Sequence, residues 1–144
     1  MKTSLYGLIL CASINVSGVV YAHGDVAPQP VDTSELEQLG DEWETMNPYT
    51  DNEKAIEIGA SAYNQNCARC HGLEGVSGGI APDLRALEPG EYGDEWYIER
   101  VRNGAIRNGV TYMPKFAISD GGPLSQEALW TIRAYLETLY DPNL

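Results

Sequence analysis

The sequence is short of positive charge. It contains 9 lysine and arginine residues against 21 aspartate and glutamate residues, and its formal net charge is −12 at pH 7. Because nucleic-acid binding needs clustered cations, this composition argues against a nucleic-acid partner. The charge is also uneven, since residues 25–57 hold ten acids and one base whereas residues 100–115 hold four bases and no acid. This distribution indicates either a dipole that orients the protein towards a charged partner or simply a solvated acidic face.

Long apolar runs are scarce, and the one that is present lies at the start of the chain. It extends from Leu5 to Val20 and is followed by Tyr21 and Ala22, a small residue suited to signal peptidase. We therefore predict a signal peptide at residues 1–22, cleavage before His23 and a periplasmic location. The alternative is a retained membrane anchor, but the run is interrupted by polar residues and is short of the roughly 20 residues that a spanning helix needs. No later stretch predicts a membrane span in the mature chain.

Cysteine is scarce once the signal peptide is removed, because only Cys67 and Cys70 remain. They belong to the sequence Cys67-Ala68-Arg69-Cys70-His71, which is the C-x-x-C-H pattern of c-type haem attachment. In that chemistry two thiols add to the porphyrin vinyl groups and the adjacent His71 ligates the iron. The pattern therefore predicts haem c as cofactor, attached through two thioethers.

Two neighbouring cysteines can also serve three functions other than haem attachment. A zinc site with two cysteines and two histidines would have to recruit His23, which lies far away at the terminus. A thioredoxin-like dithiol needs a strand before it and a sheet around it, which the sequence does not predict. A structural disulfide would leave the adjacent histidine unexplained.

Methionine is also rare, and Met113 is the candidate for the second axial ligand. It lies 42 residues after His71 in a predicted loop and is followed by Pro114, which restrains the backbone. Histidine and methionine together raise the reduction potential relative to two histidines. The alternatives are that Met113 only fills the core, that His23 is the ligand, or that the sixth position is open.

Further residues are candidates for contacts with the cofactor. The carbonyl of Pro82 is placed to accept a hydrogen bond from the ring of His71, although a proline here could equally only shape a turn. Trp96 and Tyr112 are candidate donors to the haem propionates, because buried carboxylates need hydrogen-bond donors. Arg85 and Arg100 are alternative donors.

Capping signals predict three main helices and long loops. The helices are expected to begin at a capping box at 50–53, after Asp94 and after Ser125, with Gly104 ending the second and Pro142 the third. No segment alternates clearly enough to predict a sheet, so we expect an all-α fold with long loops around one covalent haem. Residues 23–52 form an acidic, proline-containing arm that either covers the domain or is mobile, and residues 53–144 form the haem domain.

The first and last helices are expected to pack against each other. Gly59 has no side chain and so allows close approach of another helix. Tyr63, one turn later, would then pack beside Ile132 and Tyr135 of the last helix.

These motifs resemble those of class I cytochromes c over the stretch from Ile56 to Leu139. The wider sequence, including His23-Gly24-Asp25-Val26, the residues around Cys67 and the run 101–116, is similar to the cytochrome c-550 proteins of quinoprotein alcohol dehydrogenase systems. The resemblance implies an electron carrier and not an enzyme. It also implies that the carrier accepts electrons from a pyrroloquinoline-quinone (PQQ)-dependent alcohol dehydrogenase and passes them to a downstream cytochrome or terminal oxidase.

Alternative functions remain open at this point. The protein could serve another dehydrogenase or be a fixed subunit of a respiratory complex. With an open sixth position it could instead bind a gas or peroxide.

Overall fold

The computed structural model describes residues 29–144, so the predicted signal peptide and His23 lie outside the described residues. None of the helices in residues 29–144 has the length and apolarity needed to cross a membrane. The structure confirms a mainly helical architecture with three main helices. Its elements are α1 (Glu53–Asn66), α2 (Ala68–His71), α3 (Glu91–Asn103), β1 (Ala105–Arg107), β2 (Val110–Met113) and α4 (Gln126–Thr138), with short 3₁₀ turns at Leu73–Gly75, Leu84–Ala86 and Ile118–Asp120.

Helix α1 begins where the sequence predicts but with a different capping residue. The side chain of Asn52 accepts a hydrogen bond from the backbone N–H of Ala55 at 3.1 Å, so Asn52 and not Thr50 is the N-cap. An N-cap is the last residue before the helix and bonds to the second or third helical N–H, and Asn52 satisfies this rule directly. The predicted capping box was therefore wrong although the helix start was right.

Helix α3 begins one turn earlier than the sequence predicts. Its first residue is Glu91 and its N-cap is Gly90, whereas Asp94 lies buried inside the first turn. The carboxylate of Asp94 accepts a hydrogen bond from Nε of Arg133 at 2.6 Å. The capping role predicted for Asp94 was wrong because this buried ion pair with α4 occupies the side chain. Gly104 ends the helix as predicted.

Helix α4 begins as predicted and ends earlier than predicted. The hydroxyl of Ser125 accepts a hydrogen bond from the N–H of Ala128 at 3.2 Å, which confirms Ser125 as the N-cap. The helix ends at Thr138, four residues before Pro142, so Pro142 does not end it.

Strands β1 and β2 form an antiparallel hairpin, and the expectation of no sheet was wrong. The turn between them is Asn108-Gly109, with φ angles of 51° and 77°. Positive φ at both central residues is the geometry of a two-residue hairpin turn, and Asn-Gly is its preferred sequence.

Helices α1 and α4 pack closely at Gly59. A Cβ atom added there would lie 1.8 Å from the carbonyl oxygen of Thr131, so no larger residue fits without movement of the helices. One turn later the rings of Tyr63 and Tyr135 are 5.5 Å apart. The predicted helix contact is confirmed.

Residues 29–52 of the arm pack along α4. Leu36 and Tyr49 are buried, and the backbone N–H of Leu39 donates to the carboxylate of Glu127 at 3.1 Å. The ring of Trp43 lies 4.8 Å from the guanidinium of Arg102. Because the arm covers one side of α4 and the other helices cover the rest, residues 126–134 are buried on every face.

Candidate haem site

A large cavity opens between the haem-attachment motif, α3, α4 and the hairpin. Its volume is about 510 Å³, within the range of about 300–1,000 Å³ that is usual for cofactor sites. All seven residues that the sequence predicts around the cofactor line it: Cys67, Cys70, His71, Pro82, Trp96, Tyr112 and Met113. No aspartate or glutamate is among the residues that line it.

The C-x-x-C-H motif is held at the wall of this cavity by the end of α1 and by α2. The N–H of Cys67 donates to the carbonyl of Tyr63 at 2.8 Å, and the N–H of His71 donates to the carbonyl of Cys67 at 3.1 Å. The hydroxyl of Tyr63 donates to the carbonyl of Gly72 at 2.7 Å. These bonds fix the backbone on both sides of the two thiols. Burial raises the pKa of Tyr63 well above its usual range, so the hydroxyl stays a donor.

The ring of His71 is oriented by the hydrogen bond that the sequence predicts. Its Nδ1 lies 3.0 Å from the carbonyl oxygen of Pro82. A carbonyl oxygen only accepts hydrogen bonds, so Nδ1 carries the proton and donates it. This tautomer leaves the lone pair of Nε2 available for a metal ion.

The side chains of Ser77 and Asp83, for which the sequence predicted no role, hold Pro82 in place. The carboxylate of Asp83 accepts hydrogen bonds from the backbone N–H of Ser77 at 3.1 Å and from the guanidinium of Arg85 at 2.8 Å. The hydroxyl of Ser77 donates to the carbonyl of Ala81 at 2.5 Å. Both neighbours of Pro82 are therefore fixed. The sequence Asp-x-Arg directly after Pro82 was the signal from which this support of the proline could have been predicted.

The pairing of Asp83 with Arg85 has an electrostatic consequence. The hydrogen bond from Arg85 holds the pKa of Asp83 far below its usual range. It also engages the guanidinium of Arg85, which does not line the cavity. Arg85 is thus not placed to serve the propionates, one of the two arginine alternatives of the sequence analysis.

A β-bulge in the hairpin turns Met113 towards the cavity. Ile106 pairs with Thr111, but the next residue, Ala105, pairs with Met113, so Tyr112 is an extra residue on β2. Neighbouring residues of a regular strand point to opposite faces. The extra residue breaks this alternation. Tyr112 and Met113 consequently both line the cavity.

The backbone of Met113 is anchored from both sides. A Cβ atom at Gly104 would lie 2.4 Å from the carbonyl oxygen of Met113, and Gly104 has a φ of +69°, so both space and conformation require glycine. On the other side, the N–H of Phe116 donates to the carbonyl of Val101 at 2.8 Å. The backbone around Met113 therefore lies against the end of α3, at Gly104 and at Val101.

Polar side chains near the cavity include an unsatisfied donor. Arg100 lines the cavity, its guanidinium lies 5.5 Å from the ring of Trp96, and its buried Nε has no hydrogen-bond partner within the part of the chain that the structure describes. A buried donor without a partner costs about 1–3 kcal/mol. A carboxylate entering the cavity would remove this cost, and haem carries two propionates.

The thiols do not have the properties of a reactive dithiol. Burial raises the pKa of the Cys67 thiol to about 12, and the neighbouring Cys70 adds to the shift. A redox-active dithiol needs a lowered thiol pKa. Cys67 and Cys70 are free in the structure. Among residues 29–144 no group of three or more histidine, cysteine or acidic side chains is arranged to hold a metal ion.

The residues around the cavity fit haem c. The cavity opens to solvent but is lined largely by apolar side chains, among them Leu84, Val101, Leu129 and Ile132. A large apolar group bound there would remove these side chains from water. Two thiols, an oriented imidazole, a thioether and an unsatisfied guanidinium donor are the complement of a haem with vinyl groups, iron and propionates.

Comparisons with known proteins agree with this fit. A profile of the family described as "Cytochrome C oxidase, cbb3-type, subunit III" matches residues 54–136. Cytochrome c550 from Pseudomonas aeruginosa is 59% identical over 140 residues, covering 94% of this chain and 94% of that protein. Quinohemoprotein alcohol dehydrogenase ADH-IIG from Pseudomonas putida is 33% identical over 87 residues, which are 59% of this chain but 11% of that protein. No solved structure gives a significant match.

The match to a relative over nearly the whole of both chains extends beyond the profile and includes the arm. Membership of a cytochrome c family implies haem c with its iron and a role in electron transfer. The chain belongs to the class I c-type cytochromes and is similar to cytochrome c550.

Proposed function

We propose that the protein is a periplasmic one-electron carrier that accepts electrons from a PQQ-dependent alcohol dehydrogenase and passes them towards a terminal oxidase. The observation that carries the proposal is that Cys67, Cys70, His71 and Met113 line one cavity whose only charged side chains, besides the histidine, are two arginines. Such a set is suited to binding a cofactor and holding it.

Each of these side chains has one task. The thiols of Cys67 and Cys70 would attach the cofactor through thioethers, which would prevent its loss. His71 would hold the iron through Nε2, because the carbonyl of Pro82 fixes its tautomer. Met113 would be the other iron ligand, and its thioether would favour a high reduction potential. When bound, haem c supplies an iron that changes between two oxidation states.

The surroundings of the cavity suit rapid electron transfer. The Met113 backbone is fixed by Gly104 and by the Phe116–Val101 hydrogen bond, so the second ligand is preorganised. Leu129 and Ile132 of α4 contribute apolar walls that exclude water. A preorganised, water-poor site changes little between oxidation states.

The dehydrogenase partner is supported by similarity at two levels. The chain is 59% identical to cytochrome c550, and part of it is 33% identical to a segment of a protein named quinohemoprotein alcohol dehydrogenase. A segment of this kind within an alcohol dehydrogenase is consistent with a related free carrier that serves such an enzyme. The apolar run at residues 5–20 supports export to the periplasm, where c-type carriers and PQQ enzymes meet.

The cofactor and its ligands are tested by absorption spectra of the purified holoprotein in both oxidation states. We expect a c-type spectrum that survives acidic organic extraction because the haem is covalently bound. We also expect a methionine-to-iron charge-transfer band in the oxidised state. Rapid, complete binding of carbon monoxide to the reduced protein at neutral pH would instead indicate an open sixth position. It would thereby refute the assignment of Met113.

The partner is tested by stopped-flow reduction of the oxidised holoprotein. The PQQ-dependent alcohol dehydrogenase of the same organism, supplied with alcohol, should reduce it faster than an unrelated periplasmic dehydrogenase supplied with its own substrate. Equal rates of reduction by the two dehydrogenases would indicate a general carrier that serves several donors. Co-purification with a membrane complex through high salt would indicate a fixed subunit.

A further inference from the structure

The loop that follows the proposed methionine ligand is anchored to α3 at two places. We call residues 114–124 the methionine loop. The N–H of Phe116 donates to the carbonyl of Val101 at 2.8 Å, and the carboxylate of Asp120 accepts a hydrogen bond from Nε of Arg102 at 2.8 Å. Val101 and Arg102 are neighbours near the end of α3. The backbone bond and the ion pair therefore hold the loop against the same part of the helix.

The methionine loop is closed on itself, so it moves as one unit. The N–H of Leu124 donates to the carbonyl of Phe116 at 2.8 Å. A Cβ atom added at Gly122 would clash with the carbonyl carbon of Phe116, which shows how tightly the two ends of the loop pack. Close-packed segments transmit displacements and do not absorb them. A shift at Asp120 is therefore carried to Phe116 and to Met113, three residues before it.

Trp43 of the arm contacts both sides of the ion pair between α3 and the loop. Its ring lies 4.8 Å from the guanidinium of Arg102. Its Nε1 donates to the hydroxyl of Ser119 at 3.2 Å, and this hydroxyl donates in turn to the carboxylate of Asp120 at 3.0 Å. We call Trp43, Arg102, Ser119 and Asp120 the Trp43 cluster. One side chain of the arm thus links the helix to the loop.

The contacts of the Trp43 cluster are made away from the cofactor, since none of its four residues lines the haem cavity. The hydrogen bond from Arg102 lowers the pKa of Asp120, so the carboxylate is ionised and the pair is charged at neutral pH. A guanidinium stacked on an indole ring is held in a fixed plane, which favours a pair with both carboxylate oxygens. The second bond of this pair, from the terminal nitrogen of Arg102, is 3.4 Å long.

We propose that Trp43 is a positioning residue that holds the methionine loop against α3 and thereby keeps the thioether of Met113 at the haem iron. An external ligand displaces Met113 only when the loop moves away from α3, and the contacts of Trp43 are lost in that step. The arm therefore does more than cover α4, because it also protects the sixth position of the iron. This inference rests on the proposed function, in which Met113 is an iron ligand, and adds the residue that keeps it in place.

The proposal is tested by imidazole titration of the oxidised holoprotein, followed by the methionine-to-iron charge-transfer band. Trp43→Leu removes the stacking and the hydrogen bond, so the imidazole concentration at half-saturation should fall about three- to tenfold. Leu36→Ala is the control, because Leu36 is a buried arm residue that makes neither contact. It should stay within about twofold of wild type.

Unfolding in guanidinium chloride separates a positioning role from general stabilisation of the arm. Both Trp43→Leu and Leu36→Ala should unfold at lower denaturant concentration than wild type, since each loses buried apolar contacts. Only Trp43→Leu should bind imidazole more readily. Equal imidazole affinities for the two variants, or wild-type affinity in Trp43→Leu, would overturn the proposal.

The route through Arg102 is tested with a double variant. Arg102→Leu should also lower the half-saturation concentration. In Trp43→Leu/Arg102→Leu the decrease should be smaller than the product of the two single decreases, because both substitutions remove the same stacking contact. A decrease equal to the product would mean that Trp43 acts independently of Arg102 and would overturn this route. Trp43→Phe keeps an aromatic ring, so its imidazole affinity should lie between those of wild type and Trp43→Leu; if Trp43→Leu yields no holoprotein, wild-type affinity in Trp43→Phe would overturn the proposal.

Two observations on the wild type separate a failure of this inference from a failure of the proposed function. Absence of the charge-transfer band would show that Met113 is not an iron ligand, which refutes both. If the band is present and Trp43→Leu keeps the wild-type imidazole affinity, only the positioning role of Trp43 is wrong. If the variants behave as expected but the PQQ-dependent alcohol dehydrogenase does not reduce the wild type, the proposed donor is wrong and the role of Trp43 is supported.

Discussion

Replacement of Gly104 by alanine tests how the chain presents Met113. Gly104 has a φ of +69°, and an alanine Cβ there would lie 2.4 Å from the carbonyl oxygen of Met113 and 3.0 Å from the carbonyl carbon of Pro114. An ordinary contact needs at least 3.4 Å, so the Met113 carbonyl has to move by about 1 Å. With the ψ of −158° at Gly104, this backbone conformation costs a non-glycine residue about 1–3 kcal/mol, and forced repacking adds about 1–3 kcal/mol.

The hairpin offers a control for positive φ without a steric contact. Gly109 has a φ of +77°, but an added Cβ would meet no atom within 4 Å. Gly109→Ala should therefore lose only about 1–2 kcal/mol. The additional loss in Gly104→Ala combines the displacement of Met113 with the stronger backbone strain at Gly104, and we expect it to be about 1–3 kcal/mol.

The assay follows both folding and ligation in the oxidised holoprotein. Guanidinium chloride unfolding gives the free energy of unfolding, and imidazole titration reports how readily the methionine is displaced from the iron. We expect Gly104→Ala to be less stable than Gly109→Ala and to bind imidazole at a lower concentration. Equal stability and equal imidazole affinity would refute the reasoning, because the contact with Met113 would then carry no consequence.

Three further predictions concern the frame around the site. Tyr63→Phe removes the hydroxyl that donates to Gly72 and leaves its carbonyl unsatisfied, so the free energy of unfolding should fall by about 1–3 kcal/mol in a denaturant titration; an unchanged midpoint would contradict this. Gly59→Ala forces a methyl group against the carbonyl of Thr131, and the loss should be about 3 kcal/mol or should prevent recovery of holoprotein, whereas normal yield and stability would contradict the close helix contact. Asp83→Asn should lower the free energy of unfolding relative to wild type at pH values above the ordinary carboxyl pKa of 3.8. The difference between the two proteins should shrink as the pH falls towards the lower pKa that Asp83 has in the folded state. A difference that persists unchanged at pH 2 would contradict the ion-pair explanation.

The local parts of the site were predictable from the sequence because their spacing determines their chemistry. Cys67, Cys70 and His71 are adjacent, so any fold presents them together. The hydrogen bond from His71 to Pro82 spans only 11 residues. Gly59 was identifiable since its position one turn before Tyr63 indicates a helix face that accepts a neighbour. These predictions required no knowledge of distant contacts.

The errors arose where contacts between distant residues override local signals. Asp94 has the chemistry of an N-cap, but Arg133, 39 residues later, takes its carboxylate into a buried ion pair. Arg133 is fully buried because the arm and Glu88 cover that side of α4. No local pattern reports such coverage.

The hairpin was missed for a different reason. Asn108-Gly109 is a strong turn signal, but the strands on either side expose residues on both faces and therefore lack the alternation that a half-buried strand shows. The bulge at Tyr112 removes the remaining regularity. The sequence contained the turn, and only the structure could supply the register.

The same bulge links two candidate cofactor contacts in this cytochrome. Because the extra residue puts Tyr112 and Met113 on the cavity side together, the proposed ligand and a candidate propionate donor depend on one backbone feature. Without the extra residue, neighbouring side chains of β2 would alternate, and only one of the two could face the cavity. A variant that removes the bulge should therefore lose either methionine ligation or the contact of Tyr112 with the cofactor.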